Sequence, residues 1–216
     1  MDIVKIPRMK IEALLFDLGK VLVDFDFDLG MKRFAARTSL APADFKAVIL
    51  EQSWVRRYEH GDISSADYHR YLLDHGKLDM SLDEFHEAWS SVFLPDPIVP
   101  ERLLASLKAR YPLILVSNIN ESHADFVARN YKVLHYFDHK IFSHEVGSMK
   151  PDRRIYDAAI KVSGKAPEAL FFTDDRPENI ESAERLGIRA HQFQSVSGLV
   201  NALENHGVEI GDFVPA

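Results

Sequence analysis

A chain of 216 residues, 46% of them hydrophobic and 27% charged, can bury a substantial core and has room for one domain or for a core with a sizeable insertion. Its 33 acidic against 26 basic residues leave a net charge of −7, which argues against nucleic acid or an anionic membrane as the main partner while leaving room for a small anionic substrate. The sequence has no cysteine, which removes disulfides, thiolate zinc sites and cysteine nucleophiles; with no apolar leader and no run of transmembrane length, a cytoplasmic protein is the expectation.

Residues 1–10 read as a short lead-in. Ala13 to Phe16 then form an apolar run that stops at a carboxylate, Asp17, followed at once by Leu18-Gly19. Such a run suits a strand buried on both faces of a parallel sheet, and the carboxyl ends of such strands are where open α/β sheets bind ligands. Val21 to Asp28 alternates apolar and acidic positions, as an extended flap would. From about Phe27 to Phe93 the spacing turns helical. Phe27, Met31 and Phe34 share one face, and Phe45, Val48 and Ile49 share the face of a second helix opened by Pro42 and followed by Gly61. Ser64 with Asp67, and Ser81 with Glu84, are capping boxes for a third and a fourth helix. These carry Tyr68, Tyr71 and Leu72, then Leu82, Phe85, Trp89, Val92 and Phe93, before a break at Leu94-Pro95-Asp96-Pro97. The pattern predicts a small antiparallel bundle of four helices with an aromatic core.

From Pro100 onward helices and apolar strands alternate. The helix Glu101–Arg110 precedes Leu113 to Val116, which ends at Ser117-Asn118, and a helix near Ser122–Asn130 precedes Lys140-Ile141-Phe142 and a loop to Lys150-Pro151. A helix with Ile155, Ala158, Ala159 and Val162 on one face precedes Ala169 to Thr173, which ends at Asp174-Asp175; Pro177–Leu186, Arg189–Phe193 and Ser197–Asn205 complete the series. This rhythm predicts a doubly wound parallel α/β sheet with right-handed crossovers. The expected core is residues 1–24 and 95–216, interrupted by a helical domain of residues 25–94. His135 and His139 lie four apart but flank a turn, and read as a surface pair rather than a metal site.

Each buried run is followed by a polar group: Asp17 after the first, Ser117 and Asn118 after the second, Lys150 after the third, and Asp174-Asp175 after the fourth. Taken singly these suit turns and helix caps. Taken together they make a coherent site. Two carboxylates from neighbouring strands call for a hard cation, and Mg²⁺ with oxygen ligands fits. A phosphate brought to that cation needs donors on its other side, which the Ser117 hydroxyl, the Asn118 amide and the Lys150 ammonium supply. Asp17 is then placed to attack phosphorus as a covalent nucleophile, with Lys150 holding it ionised.

The order Asp17-Leu18-Gly19-Lys20-Val21, Ser117-Asn118, Lys150-Pro151 and Asp174-Asp175 with Asn179 resembles the four motifs of the haloacid dehalogenase superfamily, and the helical insert resembles its C1 cap. The segment Tyr58-Glu59-His60-Gly61-Asp62-Ile63-Ser64 is similar to the phosphatase branch that includes α-D-glucose-1-phosphate phosphatase and the N-terminal domains of soluble epoxide hydrolases. The resemblance implies a strand order 5-4-1-2-3. It also implies Mg²⁺ held by Asp17, the Gly19 carbonyl and Asp175, with Asp174 in support. The substrate would be a small phosphorylated metabolite, a sugar phosphate before others, and the protein a monomer or homodimer. One departure stands out: the family's general acid and base, an Asp two residues after the nucleophile, is Gly19 here. Losing such a group costs about 10²–10⁴ in rate. Either the leaving group is a good one, or Asp24 or His60 substitutes, or the protein is a slow or retired enzyme that binds phosphorylated ligands. A metal-free 2-haloacid dehalogenase is the alternative in another class, although such enzymes typically carry Asp-x-Tyr-Gly-Thr at the nucleophile and have no use for an Asp pair.

Overall fold

The computed structural model describes residues 9–213; residues 1–8, most of the expected lead-in, and residues 214–216 lie outside it. Strand β1 (Ala13–Phe16) is buried at every position, as its apolar run requires. After a tight turn comes β2 (Val23–Phe25), then five helices: α1 (Phe27–Ala35), α2 (Pro42–Ile49), α3 (Gln52–His60), α4 (Ser65–His75) and α5 (Leu82–Ser90). Strand β3 (Phe93–Pro97) returns the chain to α6 (Glu101–Lys108), β4 (Leu113–Ser117), α7 (Glu121–Asn130) and β5 (His139–Phe142). There follow α8 (Ser143–Val146), α9 (Arg153–Ser163), β6 (Leu170–Asp174), α10 (Pro177–Arg185), β7 (Arg189–Gln192) and α11 (Val196–Asn205).

The main sheet runs β5-β4-β1-β6-β7 and is parallel throughout. Counted along its own five strands, this is the expected 5-4-1-2-3 read from the other edge. Alternate side chains of β1 serve opposite faces. Leu14 and Phe16 enter a core with Leu103, Leu115 and Phe171, whereas Ala13 and Leu15 pack with Val116, Tyr156 and Phe172 beneath the other helical layer. Because β1 lies between β4 and β6, with Phe16 level with Leu115 and Thr173, the chain that leaves each of these three strands emerges at the same end of the sheet.

A second core lies among α1–α5 and is built on Phe34, Phe45, Tyr58, Tyr68, Phe85 and Trp89, all buried. Each such aromatic contributes on the order of 1.5–3 kcal/mol relative to its exposed state. Both expected capping boxes form, Ser64 with Asp67 and Ser81 with Glu84. The stretch read as one helix from Pro42 to Gly61 is two. Leu50 ends α2, and the Glu51 carboxylate caps α3 by accepting from the Ser53 and Trp54 amides; by residue type alone a glutamate there passes for a solvated helical position. Phe93, expected in the fourth helix, belongs instead to β3. It pairs antiparallel with Phe25, so the two linkers into and out of the helical region form a ribbon. The alternation in residues 21–28 showed an extended strand but not its distant partner.

The helical region is fastened to the sheet region at several points. Ser65 donates from its amide and hydroxyl to Glu121 Oε2 at 3.2 and 2.8 Å. His86 Nδ1 and Ser122 Oγ lie 2.7 Å apart, and His123 Nε2 lies 3.0 Å from the Trp89 carbonyl oxygen. At the end of α3, Ser143 Oγ donates to the Glu59 carbonyl at 2.5 Å and accepts from the Ile119 amide at 2.9 Å. Gly61 has φ +84°, and a Cβ there would run into the backbone carbonyl of His144. Among the described residues no helix is long and apolar enough to cross a membrane.

Gly61→Ala therefore adds a backbone clash to left-handed strain, for an expected loss of about 2 kcal/mol or more. Gly164→Ala, at φ +63° with open space around it, isolates the conformational part of that cost. Urea unfolding of the two variants checks this: the Gly61 variant loses clearly more stability than the Gly164 variant.

Candidate active site

Asp17 continues β1 by one residue, its amide donating to the Thr173 carbonyl at 2.9 Å, so its side chain stands at the carboxyl edge of the sheet. The loop after β5 brings Lys150 to the same place. Its buried ammonium lies 2.6 Å from Asp17 Oδ1 and 2.6 Å from Asp174 Oδ2, and donates to the Val116 carbonyl at 2.8 Å. One nitrogen thus ties together the ends of β1, β4 and β6. The Lys150–Pro151 peptide is cis.

Asn118 is committed to this lysine. Its Nδ2 donates to the Lys150 carbonyl at 2.8 Å and its Oδ1 accepts from the Lys150 amide at 2.7 Å. The expected amide donor to a phosphate also clamps the main chain of the cation, using one of its two Nδ2 hydrogens. Ser117 closes β4, buried, level with Phe142 of β5.

The two aspartates that end β6 differ in what they face. Asp174 is fully buried, and besides Lys150 it accepts from the Arg176 amide and from Asn179 Nδ2, both at 2.9 Å. Both its oxygens are engaged. Asp175 is only partly buried, and burial followed by the Asp174 charge pushes its carboxyl up. Burial likewise pushes the Asp17 carboxyl up to about 7, against the pull of Lys150 and with a further push from Asp174. Carboxylate oxygens of Asp17, Asp174 and Asp175 lie within 4.8 Å of one another. Three carboxylates facing one ammonium leave an excess of negative charge on hard oxygen donors, a set that fits Mg²⁺.

Gly19 follows in the tight turn where the Leu22 and Val23 amides both donate to the Leu18 carbonyl. A Cβ on Gly19 would lie 3.0 Å from Phe25 Cε1. The edge of the Phe25 ring thus borders the space a side chain at position 19 would enter. Neither substitute for the missing acid is placed for the task. Asp24 is ion-paired with Lys20, whose hydrogen bond holds its carboxyl below the usual range. His60 pairs with Asp62 at 2.9 Å and is half-buried.

A cavity of about 130 Å³ lies beside the ends of β1 and β4, between the two regions, next to the ion cluster but without Asp17, Lys150, Asp174 or Asp175 in its lining. Gly19, Ser117 and Asn118 form its floor side and Val55, Glu59 and Trp89 line it from the helices. Trp54, Arg56, Arg57, Tyr58 and His60, the large polar and aromatic residues around Glu59, do not line this space. Trp54 stacks on Tyr71 with ring centroids 4.1 Å apart, Arg57 lies over Trp54, and Tyr58 is buried with its hydroxyl 2.7 Å from Ser65 Oγ. Arg56 is exposed. The missed residue is Glu59, which stands four residues after Val55 and so on the same helical stripe; that pairing was the signal available.

A family description for haloacid dehalogenase-like hydrolases matches residues 11–187 of this chain. The protein is a haloacid dehalogenase-like hydrolase. It is 27% identical over 189 residues to a D-ribitol-5-phosphate phosphatase of Bacteroides thetaiotaomicron, covering 84% of this chain and 91% of that protein. A crystal structure of a family enzyme from the same bacterium, in complex with magnesium and inorganic phosphate, superposes with a TM-score of 0.73 at 28% identity, covering 86% of this hydrolase and 95% of that chain. A family hydrolase from Porphyromonas gingivalis gives a TM-score of 0.76 at 26% identity, over 93% of this chain and all (100%) of that one.

Replacing Lys150 with Met leaves Asp17 and Asp174 buried side by side without their cation. Breaking a buried pair in this way costs about 3–5 kcal/mol, expected in urea unfolding at neutral pH with chelator present. Carboxylates stripped of the ammonium have folded-state affinities for protons above their unfolded ones, so the loss should shrink as pH falls and one of them protonates.

Proposed function

We propose that this hydrolase is a Mg²⁺-dependent phosphomonoesterase acting on a small phosphorylated metabolite, a sugar or sugar-alcohol phosphate, through an aspartyl phosphate on Asp17. The observation that carries this reading is the single buried ammonium of Lys150 shared between Asp17 and Asp174 while Asp175 stays open beside them. The D-ribitol-5-phosphate phosphatase relative and the magnesium–phosphate complex of a family enzyme support the same assignment.

In this reading Asp17, the Gly19 carbonyl and Asp175 hold the ion. Bound Mg²⁺ supplies the positive charge that lets a phosphate dianion approach a carboxylate and offsets charge on its oxygens. Asp17 attacks phosphorus with one carboxylate oxygen, forming the new P–O bond as the ester P–O bond breaks on the opposite side. Lys150 keeps Asp17 ionised and fixes its orientation. The Ser117 hydroxyl and the groups about Asn118 receive the transferring phosphoryl oxygens, with Asn118 acting also through its hold on Lys150. Water then cleaves the acyl phosphate and frees Asp17. We assign residues 25–94 as the cap over a core of residues 1–24 and 95–216, with the substrate's carbon skeleton in the cavity between them. Sheltering the reacting groups from bulk water strengthens each of these interactions.

Phosphate release from p-nitrophenyl phosphate and from a panel of sugar and sugar-alcohol phosphates tests the assignment. Turnover should vanish in EDTA, return with Mg²⁺, and fall about 10³-fold or more in Asp17→Asn. Wild type and Asp17→Asn equally inert across the panel would overturn it.

A further inference from the structure

We propose that Glu59, a cap residue, is the general acid and base of this reaction, taking the role left vacant at Gly19. The inference rests on the phosphomonoesterase reading and adds a proton donor to it.

Four observations converge. First, the family's usual position cannot serve, because Gly19 has no side chain and the edge of the Phe25 ring borders the adjoining space. Second, two titratable side chains, Glu59 and His123, are among those lining the cavity beside the ends of β1 and β4. His123 is unsuited: its Nε2 lies 3.0 Å from the Trp89 carbonyl and is thereby its hydrogen-bearing nitrogen, and burial pushes its pKa down to about 4. Third, Glu59 is fixed with respect to the core. Its carbonyl accepts from Ser143 Oγ, the same hydroxyl that holds the Ile119 amide one residue beyond Asn118, and two residues later Gly61 presses against the backbone of α8. The main chain of Glu59 is therefore tied to the segment that follows β4, and its side chain shares the cavity with Ser117 and Asn118.

Fourth, its environment suits proton exchange. Burial pushes the Glu59 carboxyl up to about 7, with Arg176 and Arg56 pulling against it. From α8, Ser143 meets its main chain, and His144 turns its Nδ1 to the Ile119 carbonyl at 2.8 Å. A group of this kind carries a proton in part of the population near neutrality, as a general acid must.

In the first half-reaction the ester P–O bond breaks, its electron pair passes to the leaving oxygen, and the Glu59 hydroxyl hydrogen moves to that oxygen. An alcohol departs, leaving a Glu59 carboxylate and phosphorylated Asp17. In the second, the carboxylate takes a proton from water while the water oxygen bonds to phosphorus and the Asp17 P–O bond breaks. Inorganic phosphate leaves, Asp17 is again a carboxylate, and Glu59 is again protonated.

Rapid-quench kinetics of wild type and Glu59→Gln, with p-nitrophenyl phosphate and phenyl phosphate as probes, separate this role from a structural one. The p-nitrophenolate ion leaves without help, whereas phenolate, the stronger base, needs the proton. The variant should form aspartyl phosphate from p-nitrophenyl phosphate within about threefold of wild type, yet lose about 10²-fold or more with phenyl phosphate. It should also show a burst of p-nitrophenol followed by slow turnover, since hydrolysis of the intermediate has lost its base. Glu59→Asp, which keeps a carboxyl set back by one methylene, should recover part of the phenyl phosphate rate. An unchanged ratio of the two rates in both variants, with Asp17-dependent turnover intact, removes Glu59 from the chemistry and leaves the phosphatase reading standing. Wild type that forms no aspartyl phosphate from either probe overturns both.

Discussion

Everything at the mouth of this sheet depends on one ammonium group buried between two carboxylates and a carbonyl. Desolvating Lys150 is expensive, and a buried ion cluster contributes little net stability when compared with a well-packed apolar core. What it contributes is placement. Asp17 from β1, Val116 from β4 and Asp174 from β6 all meet the same nitrogen, each within 2.8 Å. The lysine is itself held from behind, by Asn118 at its own main chain and by Ser182, whose hydroxyl donates to the Pro151 carbonyl at 2.7 Å. Asp174, with both oxygens engaged, serves this scaffold, and Asp175 is left as the carboxylate with capacity for a ligand.

Polar contacts join the two regions alongside the apolar walls of the cavity and the stack of Trp89 on His123. Ser65 with Glu121, His86 with Ser122, His123 with Trp89 and Ser143 with Glu59 each cross from the helical region to α7 or α8. Exchanging such hydrogen bonds for water is close to balanced, at about 0.5–1.5 kcal/mol each. An interface of that kind separates at far lower cost than either core unfolds, which suits a site that must admit a substrate and then enclose it.

The sequence showed some of this more readily than the rest. The strands were legible because a parallel strand covered on both faces has no polar positions to confuse its pattern, as Ala13–Phe16 and Leu170–Thr173 illustrate. The strand-end residues followed from the strands. The helical region was legible as helices because Ser64 and Ser81 announce their starts, but the start of α3 was hidden by a glutamate acting as its cap. The ribbon of β2 and β3 was hidden too, since its partners lie about seventy residues apart in the chain, with Phe25 opposite Phe93. Which face of α3 meets the site was beyond reach. That depends on the fit of Gly61 against His144 and of Ser143 against Glu59, contacts between segments more than eighty residues apart. Nothing in the residue types of Trp54, Arg57, Glu59 and His60 shows that Glu59 is the one that turns inward.

The contact between Gly19 and Phe25 reaches past the turn itself. A ring edge 3.0 Å from where a Cβ would begin means that a side chain at position 19 would be felt at position 25. An aspartate in the turn would push the Phe25 ring by a few tenths of an ångström, on the strand that also pairs with Phe93. A side chain at position 19 and the ring at position 25 are neighbours in one volume, so the turn that shapes the metal side of the site and the ribbon that leads to the helices are tuned together.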